Sequence, residues 1–396
     1  MKNSDIVIVA AKRTPIGALL GQFSTVSAPR LGSIAIKAVL EEASVPFNGV
    51  DELYMGCVLP AALGQAPARQ AALAAGMDIN TACTTVNKVC GSGMKSLMLA
   101  HDALVAESAH VVVAGGMESM SNAPYLLSKA RQGLRFGHGE LLDHMLYDGL
   151  QNAYDGASMG VFAERCADRF QFTRAAQDQY AAESVQRALY AVTQQQFKAE
   201  IAPVTLVSKK GEEQITQDET PFKCDISKIA KLKPAFRAEK GTVTAASSSS
   251  ISDGAAALLL MTESEALQRG LTPLARIVAH ASHAMAPEDF TVAPSHAITK
   301  TLQRAGWGID SVDLFEINEA FAVVTMAAMR ELHLDHAKVN VNGGACALGH
   351  PIGATGARII VTLLHALINR QLKRGVAALC IGGGEATAVA IERWSR

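Results

Sequence analysis

Two kinds of apolar segment alternate along this chain and predict strands followed by helices. Short runs rich in β-branched residues predict buried strands. They are IVIVAA (6–11), HVVVAGG (110–116), LARIVA (274–279) and VAALCIGGG (376–384). Apolar residues at three- and four-residue steps predict one helix after Cys90 and another after the glycine-rich stretch 343–356. This alternation predicts an α/β fold whose sheets are covered on both faces.

A change of amino-acid composition divides the chain. From about residue 120 to about 245 the sequence is more polar, and the Ala/Leu-rich composition returns at SDGAAALLLMTESEA. We predict a first core domain at 1–120 plus 245–271, an inserted excursion at 121–244 and a second core domain at 272–396. Both core parts hold a cysteine, a glycine-rich turn, a helix and a strand that ends in glycines, which suggests duplicated domains.

Composition excludes several classes of function. The 396 residues carry 36 Lys+Arg against 37 Asp+Glu, a net charge of -1, so no basic excess points to a nucleic-acid partner. Only 18% of residues are charged and 5% aromatic, which favours a surface partly covered by another subunit. No apolar run reaches the roughly 18 residues of a membrane span. We therefore expect a soluble, cytoplasmic protein without a membrane partner.

Cysteines and histidines do not form a recognisable metal or disulfide pattern. The seven cysteines are scattered and include no CxxC pair, which favours a reducing compartment. The HxxH pairs His280/His283 and His333/His336 lack the second pair that a zinc site requires. We interpret these histidines as ordinary surface or packed residues.

The segment VCGSGMKS at 89–96 is the first candidate for chemistry. A strand-like run precedes Cys90, and glycines lead from it into a helix, so the sulfur is expected near a helix N-terminus that favours the thiolate. The glycines would let a substrate carbonyl approach the backbone. A buried core cysteine packed by glycines is the open alternative. A dinucleotide site is excluded, because the third glycine and the acidic ribose partner are absent.

Three further motifs place reactive residue types at predicted strand ends. His350 lies among the five glycines of 343–356, Cys380 lies in LCIGGGEA, and Asn318 lies in INEAFA. We predict that Asn318 ends a strand and that Glu319 begins a helix, where an N-cap role is common. A compact turn with a hydrogen-bonded histidine is the open alternative for His350. Catalytic groups of α/β proteins gather at such strand ends.

Together these motifs resemble the thiolase family of acyl-CoA acyltransferases. VCGSGMKS, NEAFA, GGACALGHPIGATGAR and CIGGGEA occur in the order and spacing of that family, and the resemblance covers essentially the whole chain. It implies a five-layered α/β/α/β/α core of two similar domains, with an inserted loop domain that binds coenzyme A. It also implies a homodimer or homotetramer that reversibly condenses two acetyl-CoA to acetoacetyl-CoA and CoA by a ping-pong route.

The resemblance also implies a role for each reactive residue. Cys90 would be the nucleophile that becomes acetylated, His350 its base, and Cys380 the thiol that moves the α-carbon proton of the second acetyl-CoA. Asn318, through a water, and His350 would form one oxyanion site, and the N–H groups of Cys90 and Gly382 the other. A thiol's ordinary pKa of about 8.5 can be tuned towards neutrality. Coenzyme A is substrate and product, and no redox cofactor or catalytic metal is implied.

Contacts to coenzyme A follow from the same resemblance. Ser249 matches a serine that contacts the pantetheine, and Lys223 stands where relatives commonly carry an arginine near the adenine. Residues 221–240 hold six Lys/Arg against two Asp/Glu, a strip suited to phosphates or simply a solvated loop. Further expected contacts to the acyl-CoA are Ser158, Met159, Phe290, Ala320 and Phe321.

Three departures from the family pattern affect the expected specificity. Ser158 replaces a usual histidine, and Ser247, Ser248 and Ser249 replace the common NAS motif. Phe290 stands where bacterial biosynthetic members often have Met, which resembles the mitochondrial acetoacetyl-CoA type that accepts a 2-methyl branch and responds to potassium. The residues at the corresponding potassium positions are Tyr180, Ala245, Ala246 and Ser248.

Two other functions remain open at this point. One is a degradative 3-ketoacyl-CoA thiolase of broader chain length, and the other is a catalytically silent acyl-CoA-binding relative. Cys380 argues against the ketoacyl synthases, which pair their nucleophile with two histidines or with His and Asn.

Overall fold

The computed structural model describes residues 5–209 and 211–395. Fourteen strands lie within these ranges: β1 (Ile6–Arg13), β2 (Gly17–Ala18), β3 (Glu52–Gly56), β4 (Ala82–Val86), β5 (Val111–Ser119), β6 (Tyr125–Leu126), β7 (Leu142–Asp143), β8 (Val204–Ser208), β9 (Gly211–Ile215), β10 (Ser252–Thr262), β11 (Ala275–Ala284), β12 (Leu314–Ile317), β13 (Arg374–Ile381) and β14 (Glu385–Arg393). The same ranges contain eleven α-helices: α1 (Ala28–Glu42), α2 (Pro67–Ala75), α3 (Ser92–Val105), α4 (Met159–Phe170), α5 (Arg174–Thr193), α6 (Thr220–Lys223), α7 (Glu263–Gln268), α8 (Ala293–Ala305), α9 (Ala322–Leu332), α10 (Ala345–Leu348) and α11 (Thr355–Asn369).

Ten strands form one sheet in the order β12-β13-β14-β11-β1-β10-β5-β3-β4, with β2 paired to β10. Strands β1 and β11 meet over only two residue pairs, Val7–Arg276 and Ile8–Ala275, so the sheet divides there into two halves. In the first half β3 runs parallel to β4 and β5. In the second half β12 runs parallel to β13, and Phe315 of β12 forms a parallel bridge with Val339. The repeated strand order confirms that the core consists of two similar halves.

Helices cover both faces of each half because alternate strand residues are apolar on both sides. Val7 of β1 belongs to one buried cluster together with α1 and α2, whereas its neighbour Ile8 belongs to another that contains α3 and α11. This second cluster also includes strand residues of the second half, so α3 and α11 form the central layer. Helices α8 and α9 cover the outer face of the second half. The five-layered α/β/α/β/α arrangement is thereby confirmed.

Residues 120–251 leave the sheet between β5 and β10 and form helices, turns and the two hairpins β6–β7 and β8–β9. A buried ion-pair network fastens this segment to β1. The Arg13 guanidinium donates to Glu200 at 2.5 Å and to both carboxylate oxygens of Asp218 at 2.7 and 2.9 Å. None of the described helices is both long and apolar enough to cross a membrane.

Two local predictions are wrong. Strand β5 continues to Ser119, so Gly115 and Gly116 lie within the strand rather than at its end. A Cβ at Gly116 would lie 2.1 Å from the carbonyl oxygen of Gly353, so glycine is required there for the close approach of a neighbouring loop. Helix α9 begins at Ala322 rather than at Glu319, which is a buried carboxylate in the connecting segment.

Candidate active site

Cys90 lies at the entrance of α3, immediately before the helix N-cap residue Gly91, as the sequence predicted. The preceding residue Val89 has a φ of 47°, a left-handed conformation that costs a β-branched residue about 1–3 kcal/mol. The Ser92 hydroxyl stabilises this turn, since it accepts from the Lys88 amide at 2.8 Å and donates to the Val89 carbonyl at 2.6 Å. The turn therefore presents the Cys90 side chain in a defined place.

The protonation state of Cys90 differs from the expectation. Although Cys90 borders an open cavity, its sulfur is surrounded by protein, and this burial raises the pKa of the thiol to about 11. The backbone N–H groups of Gly382 and of Cys90 itself oppose the shift because they hydrogen-bond the sulfur. The helix N-terminus thus does not produce a resting thiolate, and Cys90 is a neutral thiol at neutral pH.

His350 is held as a neutral imidazole. Its Nδ1 lies 2.6 Å from the Thr355 hydroxyl, which itself donates to the Pro351 carbonyl at 2.9 Å. This geometry assigns the ring proton to Nδ1 and leaves a lone pair on Nε2. Burial, together with the charge of Arg358, lowers the pKa of His350 to about 3. At neutral pH the ring is therefore neutral, and its Nε2 carries no proton.

Asn318 follows β12 directly and faces His350. Its Nδ2 lies 3.5 Å from His350 Nε2, and its backbone N–H donates to the Ala378 carbonyl at 2.9 Å. The Asn318 side-chain oxygen is buried and has no hydrogen-bond partner among the described residues. A buried polar atom of this kind is usually paired with an ordered water, which the predicted oxyanion site requires.

Glu319 does not begin a helix but accepts hydrogen bonds that position the segment containing Asn318. Its carboxylate accepts hydrogen bonds from Tyr180 at 2.9 Å, Ser184 at 2.8 Å, Asn340 at 2.9 Å and the Cys346 amide at 3.0 Å. These contacts connect the Asn318 segment to the excursion and to the glycine-rich loop before His350. The Asn-Glu pair resembled an N-cap, but tertiary hydrogen bonds determine its role.

Cys380 is the penultimate residue of β13 and is fully buried. Burial, with the neighbouring Cys90 next in importance, raises the pKa of its thiol well above the ordinary value. The expectation that this thiol is tuned towards neutrality is therefore wrong for the free protein. Its interaction with Cys90 places the two sulfurs in one site.

Most of the predicted site residues line one largely apolar cavity of about 250 Å³. The predicted residues that line it are Cys90, Ser158, Met159, Ser248, Ser249, Phe290, Ala320, Phe321, His350, Cys380 and Gly382. Sequence reasoning missed other members of the wall, among them Leu146, Leu150 and Phe236. Phe236 packs edge-on against Phe321, with ring centroids 5.8 Å apart. The cavity therefore combines aromatic and aliphatic side chains with the two cysteines.

Five predicted residues lie outside the cavity wall: Asn318, Lys223, Tyr180, Ala245 and Ala246. Lys223 is exposed and forms an ion pair of 2.5 Å with Glu219. Tyr180 is buried, and Ala245 is exposed. The Tyr180 hydroxyl hydrogen-bonds Glu319 and Asn340, whereas the Ser248 hydroxyl donates to the Thr244 carbonyl at 2.8 Å.

Glu118 is a positioning residue that the sequence analysis missed. Its buried carboxylate accepts from the backbone N–H groups of Val58 at 3.0 Å, Leu59 at 3.1 Å and Gly353 at 2.8 Å. Burial raises the pKa of Glu118 to about 7 despite these three bonds. The signal was a single acidic residue near the end of the otherwise apolar run VVVAGGMES.

Comparison with known proteins agrees with this geometry. Residues 6–264 match the family model "Thiolase, N-terminal domain", and residues 271–393 match "Thiolase, C-terminal domain". Acetyl-CoA acetyltransferase 1 of Arabidopsis thaliana is 49% identical over 99% of this chain and 95% of its own length. Acetyl-CoA acetyltransferase of Pseudomonas aeruginosa is 47% identical over 98% of this chain and 99% of its own.

A solved structure is similar to this chain over nearly its whole length. The crystal structure of Acat5 thiolase from Ascaris suum in complex with coenzyme A has a TM-score of 0.93 and 40% sequence identity. The similarity covers 98% of this chain and 100% of the other.

Proposed function

The chain belongs to the thiolase family, and from that premise we propose that it is an acetyl-CoA C-acetyltransferase. The proposed reaction is the reversible condensation of two acetyl-CoA to acetoacetyl-CoA and CoA, through an acetyl group carried on Cys90. Relatives named acetyl-CoA acetyltransferase at 47–50% identity support this substrate class.

One observation carries the proposal. Two buried thiols and a neutral imidazole, contributed by segments far apart in sequence, border the same apolar cavity. The N–H groups of Cys90 and Gly382 face the Cys90 sulfur, where the oxygen of an attacked thioester would lie. Every group is uncharged at rest, so the charge that develops during reaction meets oriented donors in a region of little water.

The first half-reaction transfers an acetyl group to Cys90. His350 Nε2 accepts the Cys90 proton while the sulfur attacks the thioester carbon and the C–S bond to CoA breaks. The two N–H groups stabilise the tetrahedral oxygen. The departing CoA thiolate takes the proton of Cys380, which leaves free CoA, a Cys380 thiolate and a protonated His350. The raised pKa values of both cysteines mean that both enter the reaction as thiols.

The second half-reaction forms the carbon–carbon bond. The Cys380 thiolate removes a proton from the α-carbon of a second acetyl-CoA. Protonated His350 and a water on Asn318 stabilise the resulting enolate oxygen. The enolate carbon attacks the acetyl group, the bond to Cys90 breaks, and the Cys90 sulfur recovers its proton from His350. All protons and charges are thereby restored.

The wall of the cavity favours a short acyl chain. Phe290, Phe236 and Phe321 line the cavity together with the two cysteines, and about 250 Å³ is little space for a long chain beside a pantetheine arm. Cleavage of acetoacetyl-CoA and of a long-chain 3-ketoacyl-CoA by CoA tests this point. We expect kcat/KM at least about tenfold higher for acetoacetyl-CoA, a difference of about 1.4 kcal/mol. Equal or reversed values would support the broader degradative thiolase instead.

A silent acyl-CoA-binding relative would lack turnover altogether. Rapid mixing with acetyl-CoA should release one CoA per active chain in a burst, because the first half-reaction precedes condensation. A stable complex without CoA release would support the silent relative.

Coenzyme A recognition is proposed for the excursion. Ser249 lies in the cavity wall shortly after the excursion ends, and the basic strip 221–240, which includes Lys223, lies within the excursion. The Ascaris suum relative was solved in complex with coenzyme A, which supports binding of this carrier. A Lys223→Glu substitution should raise KM for acetyl-CoA with little change in kcat, since the charge acts on binding alone.

Potassium activation is a separate proposal, based on the resemblance at Tyr180, Ala245, Ala246 and Ser248. The Tyr180 hydroxyl already donates to Glu319 and the Ser248 hydroxyl to Thr244, so the ion would have to use backbone carbonyls and the remaining lone pairs. Rates in potassium and in sodium chloride at equal ionic strength test the proposal. Identical rates would refute it.

A homodimer or homotetramer is proposed from the resemblance and from one sheet edge. Strand β4 is the outermost strand of the first half, alternate residues along it are exposed, and Ile79 just before it is 74% exposed. An unpaired edge of this kind is a surface on which a second chain can pair. Light scattering measures the assembly directly, and a monomer at micromolar concentration would refute the proposal. The cytoplasmic location stays a prediction.

A further inference from the structure

Three candidate metal ligands converge outside the catalytic cavity, where α3 packs beside β11. His101 and Asp102 lie on α3, and His280 lies on β11, 178 residues away from Asp102. His101 Nδ1 is 3.1 Å from Asp102 Oδ1, and His280 Nε2 is 3.2 Å from the same nitrogen and 3.0 Å from the same oxygen. The two nitrogens and the oxygen therefore form a nearly equilateral triangle.

This triangle fits one face of a tetrahedral zinc-type site. Metal–ligand distances of 2.0–2.2 Å place neighbouring ligand atoms of a tetrahedron roughly 3.3–3.5 Å apart. The observed sides are a few tenths of an ångström shorter, so small rotamer adjustments would suffice. The imidazole planes cross at 85°, and the nitrogens meet from different directions. The Asp102 side chain is 54% exposed, which leaves a fourth position open to solvent.

Protons alone satisfy this arrangement poorly. If only one of the two nitrogens, His101 Nδ1 or His280 Nε2, carries a proton, the lone pair of the other nitrogen faces the Asp102 carboxylate. If both nitrogens carry protons, the two N–H groups lie close to each other and both point at Asp102 Oδ1. A single divalent cation would pair with all three lone pairs at once.

Cationic side chains also lie near the three candidate ligand atoms. Lys95 and Arg304, which donates to the His280 carbonyl at 2.7 Å, add positive charge nearby and moderate the affinity.

We propose that His101, Asp102 and His280 bind one zinc-type divalent ion, with water as the fourth ligand. Two imidazoles and a carboxylate suit zinc, whereas magnesium and calcium prefer oxygen ligands alone. The ion would link α3 of the first half to β11 of the second. The site lies about 15 Å along α3 from Cys90, so its role is structural rather than catalytic. Since His280 Nδ1 is buried without a partner among the described residues, we expect a site that a chelator can empty.

The test uses the whole protein after chelator treatment, titrated with Co²⁺ and followed by visible ligand-field absorption and equilibrium dialysis. We expect one Co²⁺ per chain, displaced by Zn²⁺, and a higher unfolding temperature in Zn²⁺. His280→Phe keeps the ring volume, removes one ligand and should weaken binding at least about tenfold. Asp102→Asn changes an exposed side chain, should weaken binding similarly, and serves if the first variant does not fold.

His283→Phe is the matched control on the same strand. His283 stacks on His296 at 4.6 Å and is not part of the cluster, so this variant should bind Co²⁺ like the unmodified protein. Binding that persists unchanged in both His280→Phe and Asp102→Asn would place the ion elsewhere, for example on a cysteine. That result, or no binding to the unmodified protein, would overturn the proposal.

Discussion

The two halves of the core have the same strand order, yet they use equivalent positions differently. Parallel pairing ends at Gly56–Gly116 in the first half and at Ile317–Ala378 in the second. Cys57 follows β3 directly in the first half, and Asn318 follows β12 directly in the second. On the paired strands β5 and β13, Glu118 and Cys380 each lie two residues beyond the last pair. These four positions therefore form two equivalent pairs.

In the first half this pair is structural. The Cys57 thiol lies 3.7 Å from Glu118 Oε1, and Glu118 holds three backbone N–H groups, one of them from the loop that follows His350. In the second half the same positions hold Asn318, whose buried side-chain oxygen has no partner within residues 5–209 and 211–395, and Cys380, which borders the cavity. The difference indicates that one copy of the fold supports the loops on which the other copy performs chemistry.

The largest expected effect is the difference in condensation rate between the Cys380→Ala and Cys57→Ala proteins. Cys380→Ala should reduce condensation by about a thousandfold, because a general acid or base contributes about 10²–10⁴ to the rate. Cys57→Ala, which changes a cysteine of the structural pair in the first half, should leave condensation within a few-fold of the original. Steady-state synthesis of acetoacetyl-CoA measures both. A Cys380→Ala protein that condenses normally would show that the proposed asymmetry is wrong.

A large stability effect is expected for the structural partner of Cys57. Glu118→Ala leaves three backbone N–H groups without their acceptor, and each costs about 1–3 kcal/mol when buried. The free energy of unfolding should therefore fall by at least about 3 kcal/mol in urea denaturation. Glu385→Ala, which removes an ion pair with Lys88 that is partly exposed, is the control and should cost less than about 1 kcal/mol. Equal losses in the two variants would contradict a special structural role for Glu118.

Asn318→Ala should show what the unpaired oxygen contributes. If it holds the water that faces the enolate, its loss removes one oxyanion donor, which typically costs about a hundredfold in kcat. The burst of CoA from the first half-reaction should persist, because that step uses the other oxyanion site. Rapid-quench measurement of both steps distinguishes them. Equal slowing of the two steps would place Asn318 outside the second half-reaction.

The smallest expected effect is the pH dependence of the free energy of unfolding that arises from His350, in the loop before α11. The pKa of His350 is lowered to about 3 in the folded protein, from an ordinary value of 6.5. Between these values the unfolded chain binds a proton that the folded protein does not, so stability falls as the pH falls below 6.5. The slope from this group is at most about 1.4 kcal/mol per pH unit. His350→Asn should flatten the dependence of urea unfolding between pH 6.5 and 4.5. An unchanged slope would mean that His350 is not buried as a neutral ring.

The reactive residues could be predicted because each lies in a short run of unusual composition. Cys90, His350 and Cys380 are each flanked by glycines that have no evident packing role in a helix or strand. The α/β class and the covering of both sheet faces also followed from the alternation of buried strands with helices, whereas the five-layered order came from the family resemblance. These signals are local, and one sequence is sufficient to detect them.

The remaining features depend on contacts between distant segments. Glu118 accepts from Gly353, 235 residues away, and Glu319 accepts from Tyr180 and Ser184 of the excursion. The raised pKa of Cys90 arises because protein from both halves surrounds the sulfur, which the helix N-terminus alone did not predict. Similarly, His280 looked isolated because its cluster partners lie on another helix.

Location of the acetyl group tests the central claim most directly. The Cys380→Ala protein should accept one acetyl group from acetyl-CoA and retain it, because Cys90, His350 and their oxyanion site remain, solvent can protonate the departing CoA thiolate in place of Cys380, and condensation is blocked. Peptide mass spectrometry after brief exposure should find the added acetyl on Cys90, with one CoA released per chain. An acetyl group on Cys57, Cys346 or any residue other than Cys90, or no covalent adduct at all, would contradict the account.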